Sequence, residues 1–193
     1  MLSYKESLKI LKETNALMEG HFILSSGLHS TKYVQCAQLL SKPQYSKKIC
    51  ESLADKIKNE FRDINLILSP AMGGIIIGYE IGKLLNINTI FSERVNGAFT
   101  LRRDFIIPKN INVLIVEDVI TTGKSSRECS ELVKKAQANV LGYACIIDRS
   151  NGKSLIKEKI ISQIELNIST FEANNIPKEL EKVKAIKPGS RGL

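Results

Sequence analysis

Residues 112–128, NVLIVEDVITTGKSSRE, combine the side chains that handle phosphate and sugar chemistry. An apolar run ends in two adjacent acids, Glu117 and Asp118. Val119, Ile120, Thr121, Thr122, Gly123, Lys124 and Ser125 follow. With a strand before this loop and a helix after it, several backbone N–H groups can point at one anion. The positive end of the helix dipole favours the same charge. Hydroxyls of Thr121, Thr122 and Ser125 add donors, so a phosphate fits the loop. The adjacent acids would repel that phosphate. They suit sugar hydroxyls or a magnesium ion. Two other readings compete. GKS ends a nucleotide-hydrolase P-loop, but that motif needs glycine five residues before Gly123, and the chain has Asp118 there. A strand-end Glu-Asp pair is also compatible with a solvated turn.

The frame around these residues reads as alternating strands and helices. INLILS (64–69), TIFSERV (89–95), NVLIVED (112–118) and VLGYACIID (140–148) are apolar strand runs. GGIIIGYEIGKLL (73–85) and SSRECSELVKKAQA (125–138) between them read as helices, the latter with Cys129, Leu132, Val133 and Ala136 inward. Apolar strands separated by helices predict an α/β fold with a parallel sheet covered on both faces. In such sheets ligands bind beyond the C-terminal strand ends, where the acid pair falls. Upstream, Ser3 and Glu6 form a capping-box pattern opening a helix over residues 3–17, with Tyr4, Leu8 and Leu11 on one face. Residues 20–40, punctuated by Gly and Ser, read as a small irregular β subdomain. Ser41 is expected to cap a helix carrying Ile49, Leu53, Ile57 and Phe61. Asn96-Gly97 is a hairpin-turn signal. Residues 160–168 predict an edge strand or two, and 177–183 a short helix.

The chain of 193 residues is long enough for one substantial core. Its 28 basic and 20 acidic residues give a net charge of +8, yet the lysines are scattered and aromatics make up only 6%. That distribution argues against nucleic acid as a partner and for an anionic small substrate or a solvated surface. The longest apolar stretch (64–79) is short and interrupted by glycines and Pro70, so no membrane span is expected. Four separated cysteines and two histidines make a zinc site improbable. With no secretory signal pattern at the N-terminus, the expected location is the cytoplasm.

The string VLIVEDVITTGKS resembles the 5-phosphoribosyl 1-diphosphate motif of the type I phosphoribosyltransferases. The stretches TNALMEGHFILSSGLHS, SPAMGGIIIG, FSERVNGAFTLRRDF, IIDRSNG and the terminal KPGSRG extend the resemblance over nearly the whole chain. They resemble the short bacterial members of the branch that uses orotate. The resemblance implies one phosphoribosyltransferase domain over residues 1–193, with an N-terminal helix and hood in about 1–40 and the core sheet in about 62–150. It implies transfer of a phosphoribosyl group from 5-phosphoribosyl 1-diphosphate to orotate in pyrimidine synthesis. In the family the two acids, here Glu117 and Asp118, hold the ribose hydroxyls, and the loop from Thr121 to Ser125, flanked by Val119 and Ile120, takes the 5-phosphate. Backbone amides of the turn containing Ala71, Met72 and Gly73 bind the leaving diphosphate, commonly with a cis Ala71–Met72 peptide. Orotate contacts fall to Thr121 and Arg149, and to Tyr33, Val34 and the Ser26-Gly27 turn of the hood. For Arg149 the competing reading is a salt bridge to Asp148. Magnesium is held mainly through substrate, with Asp118 the one protein candidate. A mobile loop over residues 95–103 crosses to the partner's site in a homodimer, and Arg94, Arg102 and Arg103 are the cations available there, the latter two in a catalytic role.

The best-known members carry lysines where this chain has Ser25, Gly73 and Arg94, and a longer loop with a lysine and a histidine. His21 and His29 read as structural. Two alternatives stay open: transfer to another base, and a non-catalytic nucleotide-binding regulator on the same fold.

Overall fold

The computed structural model describes residues 1–24 and 26–188; Ser25 and the end of the KPGSRG stretch lie outside the described residues. Helix α1 (Tyr4–Glu13) has the predicted capping box: Glu6 N–H bonds to the Ser3 hydroxyl and Ser3 N–H to the Glu6 carboxylate. It stops short of the expected end because Asn15 turns left-handed, at φ 58°. Its buried face is Ser7, Ile10 and Leu11, whereas Tyr4 is exposed. The chain then forms β1 (Leu17–Ile23), β2 (His29–Val34) and α2 (Cys36–Leu40). Ser41 closes α2 rather than opening the next helix. Helix α3 (Pro43–Glu60) begins instead on Pro43, whose fixed φ suits a first helical residue.

The main sheet follows: β3 (Leu66–Pro70), α4 (Gly73–Leu85), β4 (Thr89–Val95), β5 (Ala98–Leu101), β6 (Asn112–Ile120), α5 (Lys124–Lys135), β7 (Asn139–Asp148) and β8 (Ile160–Glu165). The six strands lie in the order β5-β4-β3-β6-β7-β8. All neighbours are parallel except the β4–β5 hairpin. Asn96 and Gly97 turn that hairpin with φ of 49° and 84°, the two positive values that a tight two-residue turn needs. One core cluster packs residues of α1, α2, α3 and α4 against one face of the sheet, including Leu53, Ile57, Ile77 and Val116. A second packs Cys129 and Val133 of α5 against Ile115, Tyr143 and Cys145 on the other. The sheet is therefore buried on both faces, as the apolar strands predicted.

A smaller antiparallel sheet, β1-β2-β9, uses the short β9 (Thr170–Phe171) as its third strand. Residues 160–168 thus supply one edge strand to the main sheet, and the chain then crosses to the hood. After α6 (Lys178–Glu181), Ile186 bridges Phe22 of β1. The hood is built from both ends of the chain, which the expected boundary at about residue 40 did not include. No helix among the described residues is long and apolar enough to cross a membrane.

Candidate active site

The acid pair stands at the C-terminal end of β6, between β3 and β7. Val113, Leu114, Ile115 and Val116 are fully buried, and Glu117 and Asp118 are the first residues of the strand to regain partial exposure. Burial raises the Glu117 pKa to about 7. A hydrogen bond from the Ser126 hydroxyl opposes that rise, the neighbouring Asp118 charge adds to it and Arg94 works against it. Burial also raises Asp118, against backbone N–H bonds from Val119 and from Asp118 itself. The Asp118 carboxylate lies against the turn before α4: a Cβ built on Gly73 would stand 2.7 Å from its Oδ1. A lysine at position 73 could not be placed without moving this acid. Cys36, fully buried nearby, has its thiol pushed well above the usual range by burial and by Asp118.

Strand β6 runs two residues further than predicted, so the loop proper is Thr121, Thr122 and Gly123. Ile120 is a core residue whose carbonyl accepts the Arg149 N–H at 2.8 Å, and Val119 packs on the core. Neither side chain can serve as a phosphate donor. Gly123 is the N-cap of α5 at φ 75°, and a Cβ there would meet Ile156 at 2.9 Å. The cap has no side chain of its own; the Thr122 hydroxyl accepts the Lys124 N–H at 3.4 Å, and the next first-turn amides, of Ser125 and Ser126, are left for an anion. Leu155 N–H holds the Thr122 carbonyl at 2.8 Å and fixes the loop from behind. Thr121, Thr122 and Lys124 are exposed, and Ser125 lines the adjoining cleft.

That cleft has a volume of about 450 Å³. The turn from Pro70 to Gly74 forms one wall, with the Ala71–Met72 peptide cis as the resemblance implied. Glu117, Asp118 and Ser125 form another, and Glu93, Arg94 and Phe99 a third. Arg94 is held three ways. It pairs with Glu128 at 2.6 Å, donates to the Gly97 carbonyl at 2.6 Å and stacks 4.1 Å from the Phe99 ring centre. The Glu128 contact is close but not aligned as a hydrogen bond, so it acts as a charge pair. Arg102 and Arg103 stand outside the cleft lining. Arg103 grips Glu93 with two bonds of 2.9 and 3.2 Å and lies over Phe91, and Arg102 reaches the same carboxylate at 4.0 Å. The sequence reading missed Glu128, Phe99 and Ser126. Phe99 falls beside the hairpin signal, but Glu128 lies on α5, and its pairing with Arg94 depends on that helix packing beneath the hairpin.

Arg149 follows β7, level with the loop. Its Nε is buried without a hydrogen-bond partner, and burial lowers its pKa. The expected competitor does not form: Asp148 accepts the Ser150 N–H at 2.7 Å, and no salt bridge to Arg149 occurs among the described residues. Tyr33 is close enough to contribute to the Arg149 charge balance and donates to Gln35 at 3.3 Å. Val34 is instead a core side chain. The Ser26-Gly27 turn is exposed. His21 binds the Val183 carbonyl at 2.9 Å and His29 at 2.6 Å, tying the hood to the C-terminal segment as structural residues do.

Among the described residues no group of three or more His, Cys, Asp or Glu could cage a metal. Two half-buried carboxylates beside an anion loop fit a magnesium ion that takes its remaining ligands from substrate and water.

The phosphoribosyl transferase domain model matches residues 36–182. The orotate phosphoribosyltransferase of Maricaulis maris is 44% identical over 189 residues, covering 97% of both chains. That of Desulforamulus reducens is 40% identical over 192 residues, covering 100% of both. Among solved structures, orotate phosphoribosyltransferase from Aeropyrum pernix superposes with a TM-score of 0.72 at 22% identity, over 82% of this chain and 92% of that one. An adenine phosphoribosyltransferase from Saccharomyces cerevisiae gives 0.65 at 19%, over 81% and 99%. These distant structures share the fold with both base specificities, and the full-length matches carry the kinship further: the chain belongs to the phosphoribosyltransferase family.

Proposed function

We propose that this protein transfers the 5-phosphoribosyl group of 5-phosphoribosyl 1-diphosphate to orotate, giving orotidine 5-phosphate and diphosphate in pyrimidine synthesis. The observation that carries the choice of base is Arg149, a half-buried guanidinium whose Nε is buried and unpartnered, at the end of the strand next to the one that bears the ribose acids. Orotate brings a carboxylate, which a guanidinium grips with two parallel bonds. Relatives at 40–46% identity over nearly their full length bear the name of that activity.

The open amides of α5 and the hydroxyls of Thr121, Thr122 and Ser125 take the 5-phosphate. Glu117 and Asp118 take the ribose 2- and 3-hydroxyls. The 71–74 turn supplies backbone amides to the diphosphate, and Arg94 stands at the same cleft. Arg149 and Thr121 orient orotate, with Tyr33 of the hood above it. As the bond from the anomeric carbon to diphosphate lengthens, the orotate nitrogen approaches from the opposite face. The chain's own groups position the reactants and stabilise the charge that develops. Asp118 would help to hold a magnesium ion, which would supply positive charge against the diphosphate. Four buried free thiols suit a reducing compartment, and we place the enzyme in the cytoplasm.

We also read the protein as a homodimer whose 95–103 hairpin reaches the partner's cleft. Met72, Ile76 and Tyr79 are 85%, 51% and 65% exposed along α4, an apolar stripe that begins at the diphosphate turn. Arg102 and Arg103 rest on Glu93 in an exposed pairing worth about 1 kcal/mol or less. A diphosphate can displace it.

The decisive assay mixes protein, 5-phosphoribosyl 1-diphosphate, magnesium and orotate and follows loss of orotate absorbance. Diphosphate release should depend on orotate and on a divalent cation. Release with adenine, guanine or uracil but not orotate would show the base to be wrong.

Asp118→Asn should lower turnover by on the order of a hundredfold or more, since an amide lacks the charge near ribose and metal. Thermal melting should stay close to that of the parent. Unchanged turnover with unchanged melting would remove the acid from the site.

Arg103→Ala or Arg102→Ala should lower single-turnover rates by on the order of a hundredfold while orotate affinity changes less. Near-normal rates in both, with Arg94→Ala inactive, would instead make the cleft-lining Arg94 the essential cation.

Ile76→Asp should convert the dimer to monomer in analytical ultracentrifugation and remove activity with it. A fully active monomer would refute the shared site.

A further inference from the structure

We propose that Ser126 is a positioning residue for Glu117: it holds this carboxylate in the orientation that meets the ribose hydroxyls. It thereby links the ribose contact to the helix whose start takes the 5-phosphate. The inference rests on the phosphoribosyl-transfer reading above and names a residue that reading does not use.

Ser126 lies in the first turn of α5, three residues after the N-cap Gly123, and is fully buried. A serine inside a helix commonly returns its hydroxyl to a carbonyl of the preceding turn. Ser130, one turn further along the same helix, does so, donating to the Arg127 carbonyl at 2.7 Å. Ser126 donates instead to Glu117 Oε2, across to the end of β6. The terminal torsion of a glutamate is broad and nearly two-fold, so an unanchored carboxylate samples many orientations. With Oε2 held by a buried donor, Oε1 is the oxygen left for a ligand in the cleft that Glu117 lines. A hydroxyl donor to a carboxylate is also among the stronger neutral-to-charged bonds, and an apolar residue of similar size could not provide it.

The contact has a second consequence. Ser126 belongs to the same helical turn whose amides face the phosphate, and its partner belongs to the strand that carries the ribose acids. Any shift of α5 on phosphate binding is transmitted to Glu117 through this bond. Phosphate and ribose are two parts of one substrate, so the bond keeps their two sites in register.

Steady-state kinetics on the full-length enzyme test the proposal. Ser126→Ala should raise KM for 5-phosphoribosyl 1-diphosphate by on the order of tenfold, the loss of one hydrogen bond to a charged group. KM for orotate and kcat should change little. Ser126→Thr, which keeps the hydroxyl, should recover most of the lost affinity. In a Glu117→Ala background, where no carboxylate remains to be held, Ser126→Ala should have no further effect. A KM for 5-phosphoribosyl 1-diphosphate equal to the parent's would overturn the inference. Equal loss in both KM values with a lowered melting temperature would also overturn it, leaving Ser126 a packing residue. An active parent enzyme with an indifferent Ser126→Ala defeats this proposal alone, whereas a parent inactive on orotate defeats the function reading and this one with it.

Discussion

Two acids at the end of a strand buried on both faces must keep their charge where water is scarce, and the site is arranged around that constraint. Strand β6 is sealed from Val113 to Val116, so its first contact with solvent falls on Glu117 and Asp118. Desolvation pushes both carboxylates toward the neutral form, and Glu117 reaches a pKa of about 7. The surroundings counter this with a hydroxyl from Ser126, backbone N–H groups at Asp118 and the nearby charge of Arg94. Gly73 makes room for Asp118 against the opposing turn, where any side chain would collide. A partly desolvated carboxylate binds sugar hydroxyls and cations more strongly than one in bulk water, because water competes less for it. The burial that burdens the acids is the same burial that would strengthen their hold on a ligand.

The charge balance of the cleft follows from this. Glu93, Glu117 and Asp118 line it with Arg94 as the one cation among its lining residues, and Arg94 is already paired with Glu128. A space with this inventory repels a diphosphate. It becomes hospitable once a divalent cation sits among the carboxylates or the hairpin arginines leave Glu93. On the proposed reading a metal and a moving loop would answer one electrostatic problem, and the weakness of the exposed Arg103–Glu93 pair would make the exchange easy.

Much of this was legible in the sequence, for identifiable reasons. Helix α4 and strand β4 fell on their predicted residues because their apolar periods were unbroken. The hairpin followed from Asn96-Gly97, a local signal with one steric solution. For the Glu117-Asp118 pair and the loop after it, residue order alone left a phosphate site and a solvated turn both open, and the resemblance to the family motif supplied the expected roles. Element ends were less readable: α1 stopped at a left-handed Asn15, and Ser41 closed a helix it was expected to open, because Pro43 starts α3 without any capping side chain. Side-chain pairings across elements were not legible. Arg94 found Glu128 on α5, and Arg103 found Glu93 on its own hairpin strand, by tertiary packing that no sequence spacing encodes. The hood's third strand, from residues 170–171, likewise comes from a chain crossing that periodicity cannot show.

The proposed base and sugar halves of the site are set against each other by sheet register. Strands β6 and β7 are parallel, with Ile120 opposite Asp148, so both strands end at the same level. The Arg149 N–H closes that end on the Ile120 carbonyl at 2.8 Å. Arg149 is therefore placed one strand spacing, about 4.8 Å, from the start of the phosphate loop, a distance fixed by backbone hydrogen bonding. A nucleotide product requires its base and its phosphorylated ribose to be held as covalent neighbours. Parallel strands ending together supply that separation without any flexible segment, while side-chain choice decides what is recognised at each end. A protein named an adenine phosphoribosyltransferase has the same fold, so the fold by itself does not choose the base. Within this frame, the half-buried Arg149 at β7's exit, with its Nε buried and unpartnered, is the feature on which the proposed choice of a carboxylated pyrimidine rests.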